Sequence, residues 1–169
     1  MFDEHHRVIS GNATDQALMK FLGEDSYLKM KEDPSLEVFA SQKFNSSNKF
    51  SQAQIGGLTY YKGAPERLLQ KADRYMGTDG QLHPLDLSCI NQRIDTLAKK
   101  AMRVIAFGYS EEPLQENCIS GNLVLIGLAA IRDDVRPEAR IAIHDLQKAG
   151  IQVVMITGDR LETASAIAK

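Results

Sequence analysis

Gly56-Gly57 separates two β-patterned runs, Phe50 to Ile55 and Leu58 to Lys62, and this spacing leaves the chain few ways to fold. A two-residue hairpin turn needs positive φ at its central positions, which glycine adopts without steric cost. Upstream, Leu36, Val38 and Ala40 alternate with Glu37, Phe39 and Ser41 in a strand leading to Phe44, and Asn45-Ser46-Ser47-Asn48 reads as the next turn. Three strands joined in this way predict an antiparallel meander.

Helical patterns surround it. Asn12 is a candidate N-cap for a helix whose apolar positions are Ala13, Ala17, Leu18, Phe21 and Leu22, with Gly23 at the exit. The charged stretch from Glu24 to Pro34 predicts a solvated helix end and loop. Gly63-Ala64-Pro65-Glu66 opens a second helix with Leu68, Leu69, Ala72, Tyr75 and Met76 as its buried face and Gly77 as its end. Ile90, Ile94, Leu97, Ala98 and Ala101 mark a longer amphipathic helix, followed by a strand at Val104 to Phe107.

Beyond the polar stretch Pro113 to Gly121 the pattern becomes strand (Leu123 to Ile131), helix (Pro137 to Ala149), strand (Ile151 to Thr157) and helix (Leu161 to Lys169). That succession predicts a parallel β-α-β-α unit, so a domain boundary is expected near Gly121, with residues 1–121 on one side and 122–169 on the other. The β-branched run Val153 to Ile156 enters Thr157-Gly158-Asp159, and a hydroxyl, a glycine and a carboxylate at the end of a parallel strand suit phosphate and Mg²⁺ chemistry.

The totals exclude several functions. With 169 residues and 43% hydrophobic content, the chain is expected to be folded and soluble, with one good core or two small ones. A net charge of −2 with both signs well mixed offers no field for a nucleic-acid backbone or an anionic membrane. Cys89 and Cys118 do not make a disulfide framework or a metal-ligand spacing, which fits a reducing cytosolic setting and leaves a single bridge open. The longest apolar run, Leu123 to Ile131, is too short to cross a bilayer.

Five separated motifs, in order, resemble the cytoplasmic region of P-type ion-translocating ATPases. Gly11-Asn12-Ala13-Thr14-Asp15 resembles that family's Gly-x-x-Thr-Glu segment, Phe44-Asn45-Ser46-Ser47-Asn48-Lys49 its Phe-x-Ser-x-x-Lys, and Lys62-Gly63-Ala64-Pro65-Glu66 its Lys-Gly-Ala-Pro-Glu. Asp133-Asp134-Val135-Arg136-Pro137 resembles Asp-Pro-x-Arg, and Thr157-Gly158-Asp159 the Thr-Gly-Asp of the phosphorylation domain. The resemblance implies an α+β fold: an antiparallel sheet flanked by helices, followed by a partial α/β haloacid-dehalogenase-like unit. It also implies ATP as ligand, Mg²⁺ in the intact pump, and the pump's membrane, actuator and phosphorylation domains as partners. The expected place of action is the cytoplasmic face of a membrane.

The resemblance puts adenine on Phe44 beside Ser46, with Asp15 accepting from its amino group. Lys49, Lys62 and Gly63 would line the nucleotide pocket, and Arg103 would reach the β-phosphate. Asp133 and Arg136 would contact ribose or phosphate near a hinge, while Thr157, Gly158 and Asp159 would position the phosphoryl group. By pattern alone these residues read differently. An aromatic ending an alternating strand is more often core, Asp15 equally favours a helix dipole, and lysines at strand ends are usually solvated. Asp133 and Pro137 equally make an acidic cap and a proline first turn.

Departures from the family pattern carry weight. The segment with the nucleophilic aspartate and the later Gly-Asp-Gly-x-Asn-Asp segment are not in this sequence. Asp15 replaces a glutamate, Asn48 a common arginine, and Asp134-Val135 frequent prolines. Without the Ser-Glu-His-Pro segment of the heavy-metal branch, a calcium-like branch is favoured. The chain is therefore expected to be a piece of a pump that binds ATP or ADP weakly and hydrolyses nothing alone, with an exposed apolar edge near Ile151 to Ile156 that pairs with another copy or is poorly ordered. Two competing readings are a stand-alone haloacid-dehalogenase-like phosphatase with a cap, whose Asp-x-Asp-x-Thr strand is not found, and a non-catalytic nucleotide sensor.

Overall fold

The computed structural model describes residues 2–3, 8–9, 11–132, 137–157 and 164–165. By its contacts the chain divides into two compact units, Met1–Leu85 with Ile105–Ile131, and Asp86–Val104 with Arg132–Lys169. The first unit holds a seven-stranded sheet in the order β1-β2-β3-β6-β7-β4-β5. Its strands are β1 (Val38–Asn45), β2 (Phe50–Ile55), β3 (Leu58–Gly63), β4 (Ala72–Met76), β5 (Leu82–Pro84), β6 (Arg103–Ser110) and β7 (Leu123–Ile131). Neighbours are antiparallel from β1 through β3 to β6, while β4 and β7 run parallel. The result is an α+β fold with a mostly antiparallel sheet.

The expected meander forms. Gly56 and Gly57 have φ of 57° and 84°, the signs a tight hairpin turn requires, and Ile55 pairs with Leu58 across it. In α1 (Ala13–Leu22), Asn12 caps the first turn by accepting from the Asp15 amide at 3.0 Å. Gly23, at φ 79°, ends α1 and leads directly into α2 (Glu24–Glu32). The charged stretch expected as helix end and loop is therefore mostly helix. Glu24 and Asp25 lie in its first turn and Lys29 and Lys31 in its last, an arrangement that suits the helix dipole without any apolar periodicity.

A larger departure follows the Lys-Gly-Ala-Pro-Glu segment. The helix expected to continue to Met76 stops after one turn, α3 (Pro65–Leu68), and Ala72–Met76 is instead β4. The spacing of Leu68, Leu69, Ala72 and Tyr75 fits a helix, but β4 gains ladder hydrogen bonds from β7 on one side and β5 on the other. Leu68 keeps its expected burial, with none of its surface exposed. Phe21 does not: the ring expected on the apolar face of α1 is 92% exposed.

The core of this unit includes Phe50, Tyr61, Leu69, Ala106, Leu123 and Leu125. The Phe50 and Tyr61 rings meet with centroids 6.2 Å apart. The Tyr61 hydroxyl donates to Ser120 Oγ at 3.1 Å and accepts from the Ser120 amide, so this buried polar tip is satisfied. The strand Leu123–Ile131 forms as expected, but its neighbours β6 and β4 belong to this sheet. Cys89 and Cys118 are both free thiols.

The second unit contains α4 (Leu87–Ala98), capped by Asp86 accepting from the Cys89 amide, and α5 (Pro137–Lys148). Ile94 and Ala98 of α4 are buried. The run Ile151 to Thr157 has the composition of a strand but forms none, and Ile151, Val153, Val154, Met155 and Ile156 are exposed. β-branched residues favour extended backbone, whereas a strand also needs a paired neighbour. The helix expected from Leu161 to Lys169 lies outside the described residues except for 164–165.

Leu68→Ala should destabilise the protein by about 2–5 kcal/mol because it empties a fully buried site. Phe21→Ala should change stability by less than about 0.5 kcal/mol. Urea unfolding of the two variants checks both values.

Candidate functional site

The site is built around the connection between β1 and β2. Gln42 pairs with Gln52 and Asn45 with Phe50, so Lys43 and Phe44 together face the single residue Ser51. Such a bulge re-aims side chains. Phe44 is 59% exposed, and its ring meets no other ring among the described residues. Ser51 in turn pairs with Lys62 on β3, and Lys62 with Phe107 on β6. One line across the sheet therefore joins Phe44, Ser51, Lys62 and Phe107, with the strands of Phe44 and Lys62 about 10 Å apart.

The turn after Phe44 is closed by its own backbone and held from outside. Asn45 Oδ1 accepts from the Ser47 amide at 2.8 Å, and the Lys49 amide donates to Asn45 O at 2.6 Å. Lys49 has φ 61°, which turns the chain into β2. Arg67 Nε donates to Asn48 O at 3.2 Å, the Ala64 amide donates to Lys49 O at 2.9 Å, and Lys49 Nζ lies 3.2 Å from Glu66 Oε1. Gly63 packs so closely beneath that an added Cβ would stand 2.6 Å from both Lys49 O and Phe50 Cβ. Lys-Gly-Ala-Pro-Glu is thus a scaffold for this turn: its glycine permits close approach, its helix start presents Glu66, and Arg67 follows.

Lys62 is engaged elsewhere. Its Nζ is 2.5 Å from Asp15 Oδ1, with side chains 33% and 37% exposed. Because side chains alternate along a strand, Ser51, Ala53, Tyr60, Lys62 and Phe107 share one face. These residues and Ile126 line a shallow concavity of about 200 Å³. That is below the usual range for sites that enclose a small molecule. A ligand here would rest on the sheet with much of its surface in water.

The structure therefore gathers Asp15 with Lys62, and Phe44, Ser46, Lys49 and Gly63 about one turn. Both ammonium groups, expected to await phosphates, already have carboxylate partners. Exposed ion pairs of this kind contribute only about 0–1 kcal/mol, so an arriving anion can displace them. Arg103 is exposed at the start of β6 and falls in the second unit. Thr157 is exposed, while Asp133, Arg136, Gly158 and Asp159 lie outside the described residues. Sequence reading missed Arg67, Gln42, Gln52 and Asn117, and it did not pair Glu66 with Lys49. Asn48 and Asn117 are hydrogen-bonded across 69 positions, a separation no local pattern reveals.

The fold is an α+β domain with a long antiparallel meander, an exposed aromatic at a bulge and Lys62 on one open sheet face. The family described as P-type ATPase, cytoplasmic domain N, matches residues 2–138, and the chain belongs to that family. Cation-transporting ATPase pma1 of Synechocystis sp. is 39% identical over 119 residues, covering 68% of this chain and 13% of the relative. Calcium-transporting ATPase 7, plasma membrane-type, of Oryza sativa subsp. japonica is 33% identical over 178 aligned residues, covering 95% of this chain and 17% of the relative. The probable cation-transporting ATPase F of Mycobacterium tuberculosis is 41% identical over 112 residues, covering 63% and 12%. The chain thus spans less than a fifth of the length of these relatives. Among the described residues no helix is long and apolar enough to cross a membrane.

Gly63→Ala should force apart Lys49 and Phe50 and cost about 1–3 kcal/mol of stability, measured by urea unfolding.

Proposed function

We propose that this domain holds ATP for a P-type cation pump, with the adenine stacked on Phe44 and its phosphates drawn along the sheet by Lys62 and Lys49. The observation that carries this reading is the exposure of the Phe44 ring on the same cross-strand line as Lys62. An aromatic ring left 59% exposed at a bulge offers a flat apolar face on which a purine can stack. Asp15, beside Lys62, offers a carboxylate that accepts from the adenine amino group, and Ser46 and Gly63 complete the lining. The relatives' names support a cation pump, and those of the plant relatives favour calcium.

In this reading the nucleotide domain carries ATP toward an aspartate that becomes phosphorylated, and hydrolysis of the aspartyl phosphate is coupled to ion movement. That aspartate is in neither the described residues nor the rest of this sequence. The chain is accordingly assigned binding without turnover of its own. The sequence beyond β7 is assigned to the start of the phosphorylation domain, with Thr157, Gly158 and Asp159 positioning the phosphoryl group. Arg103, Asp133 and Arg136 are assigned to phosphate and ribose. Mg²⁺ is assigned to the intact pump, entering with the nucleotide's phosphates. The pump's remaining domains are the proposed partners, at the cytoplasmic face of a membrane.

ATP titrated into the ¹⁵N-labelled protein should shift amides of Phe44 to Lys49 and of Lys62 and Gly63. Phe44→Ala should weaken binding about fivefold through lost stacking, and Lys62→Ala by a similar factor. Identical shifts and affinities in all three proteins would remove the pocket from consideration.

A further inference from the structure

A chain of side-chain amides runs from the covered face of the sheet to Asn48 in the proposed nucleotide turn, and its other members, Gln52, Gln42 and Asn117, lie outside that turn. It begins at Gln52 on β2, only 3% exposed. Gln52 Nε2 donates to Gln42 Oε1 on β1 and to Gln115 O, both at 2.6 Å. Gln42 Oε1 also accepts from the Asn117 amide at 2.9 Å, and Gln42 Nε2 donates to Asn117 Oδ1 at 2.7 Å. The same Asn117 oxygen accepts from Asn48 Nδ2 at 2.6 Å.

Asn117 occupies a distinctive place in this chain. Its φ of 59° is a left-handed conformation that asparagine tolerates better than most residues. That backbone lets its N–H and its Oδ1 both face Gln42, while one lone pair of the oxygen remains for Asn48. Asn48 is thus gripped on two sides, by Arg67 at its carbonyl and by Asn117 at its side chain. It sits between Ser46 and Lys49, in the turn that follows Phe44.

We propose that Asn117 is a positioning residue for nucleotide binding: through Asn48 it fixes the Phe44–Lys49 turn in a receptive shape before the ligand arrives. It does so without touching the nucleotide. The inference rests on the proposed nucleotide site and adds a residue that acts on it from a distant part of the sequence. A turn held by fewer bonds samples more shapes, and ordering it would then subtract from the affinity.

Three variants of the full chain test this by ATP titration, amide NMR and thermal unfolding. Asn117→Gly keeps the left-handed backbone accessible and removes the side-chain acceptor. Asn48→Ala cuts the same link from the exposed turn and decides the matter if the glycine variant does not fold. Asn117→Asp retains an oxygen acceptor at the same place. Asn117→Gly and Asn48→Ala should each weaken ATP about fivefold, the effect of losing the Asn48–Asn117 hydrogen bond that both remove, and shift the ligand-free amides of Ser46 to Lys49. Asn117→Asp should return those ligand-free amides to their native positions.

Unchanged ATP affinity in Asn48→Ala and Asn117→Gly, beside a clear loss in Phe44→Ala, would overturn the positioning role and leave the nucleotide site standing. A fall in melting temperature with affinity intact would overturn it in the same way, since it would show a brace for the fold alone. If Phe44→Ala also binds ATP like the wild type, the site itself has failed and this inference falls with it.

Discussion

The register of the first three strands is the constraint on which the rest of the site depends. Side chains alternate across a strand, so a slip of one residue between β1, β2 and β3 would exchange the two faces of the sheet. Phe50, Gln52, Thr59 and Tyr61 would move into water, and Ser51, Tyr60 and Lys62 would be buried. The Gly56-Gly57 turn holds that register at one end, and the bulge at Lys43 and Phe44 breaks it in a controlled way at the other. The bulge adds a residue where the ladder is about to end, so Phe44 remains outside the core although its strand is well paired.

Electrostatics at this face are balanced in advance. Lys62 rests against Asp15 and Lys49 against Glu66, so both of these cations are already paired. Such pairs hold flexible ammonium groups in place and separate at small cost, because both partners retain contact with water. In the proposed reading, this arrangement and the shallow sheet surface would hold a nucleotide loosely. A deep pocket with buried charges would bind more tightly and release more slowly.

Much of the architecture was legible locally. The Asn12 cap, the Gly23 exit, the glycine hairpin and the long α4 all follow from short-range chemistry, and all appear where their residues indicate. The motif Lys62 to Glu66 was legible as a close approach followed by a helix start, and Gly63 and Pro65 serve those purposes. Two misreadings share one cause. Ala72–Met76 has a helical spacing yet pairs with β7 from fifty positions further on, and Ile151 to Thr157 has strand composition yet forms no strand. In both cases the local preference was real and the outcome was decided by the presence or absence of a neighbour.

By itself the sequence determined the turns, the caps and the alternation of faces, because each depends on bonds within a few residues. Only the tertiary structure decided that Phe44 stays exposed, that Lys62 pairs with Asp15 from α1, and that Asn117 reaches Asn48. Those contacts join segments separated by 47 and 69 positions, and they exist only once the sheet has brought distant strands and loops side by side. Sequence periodicity extends over a turn or two of chain, whereas long-range pairing is settled by which surfaces the whole fold leaves next to one another.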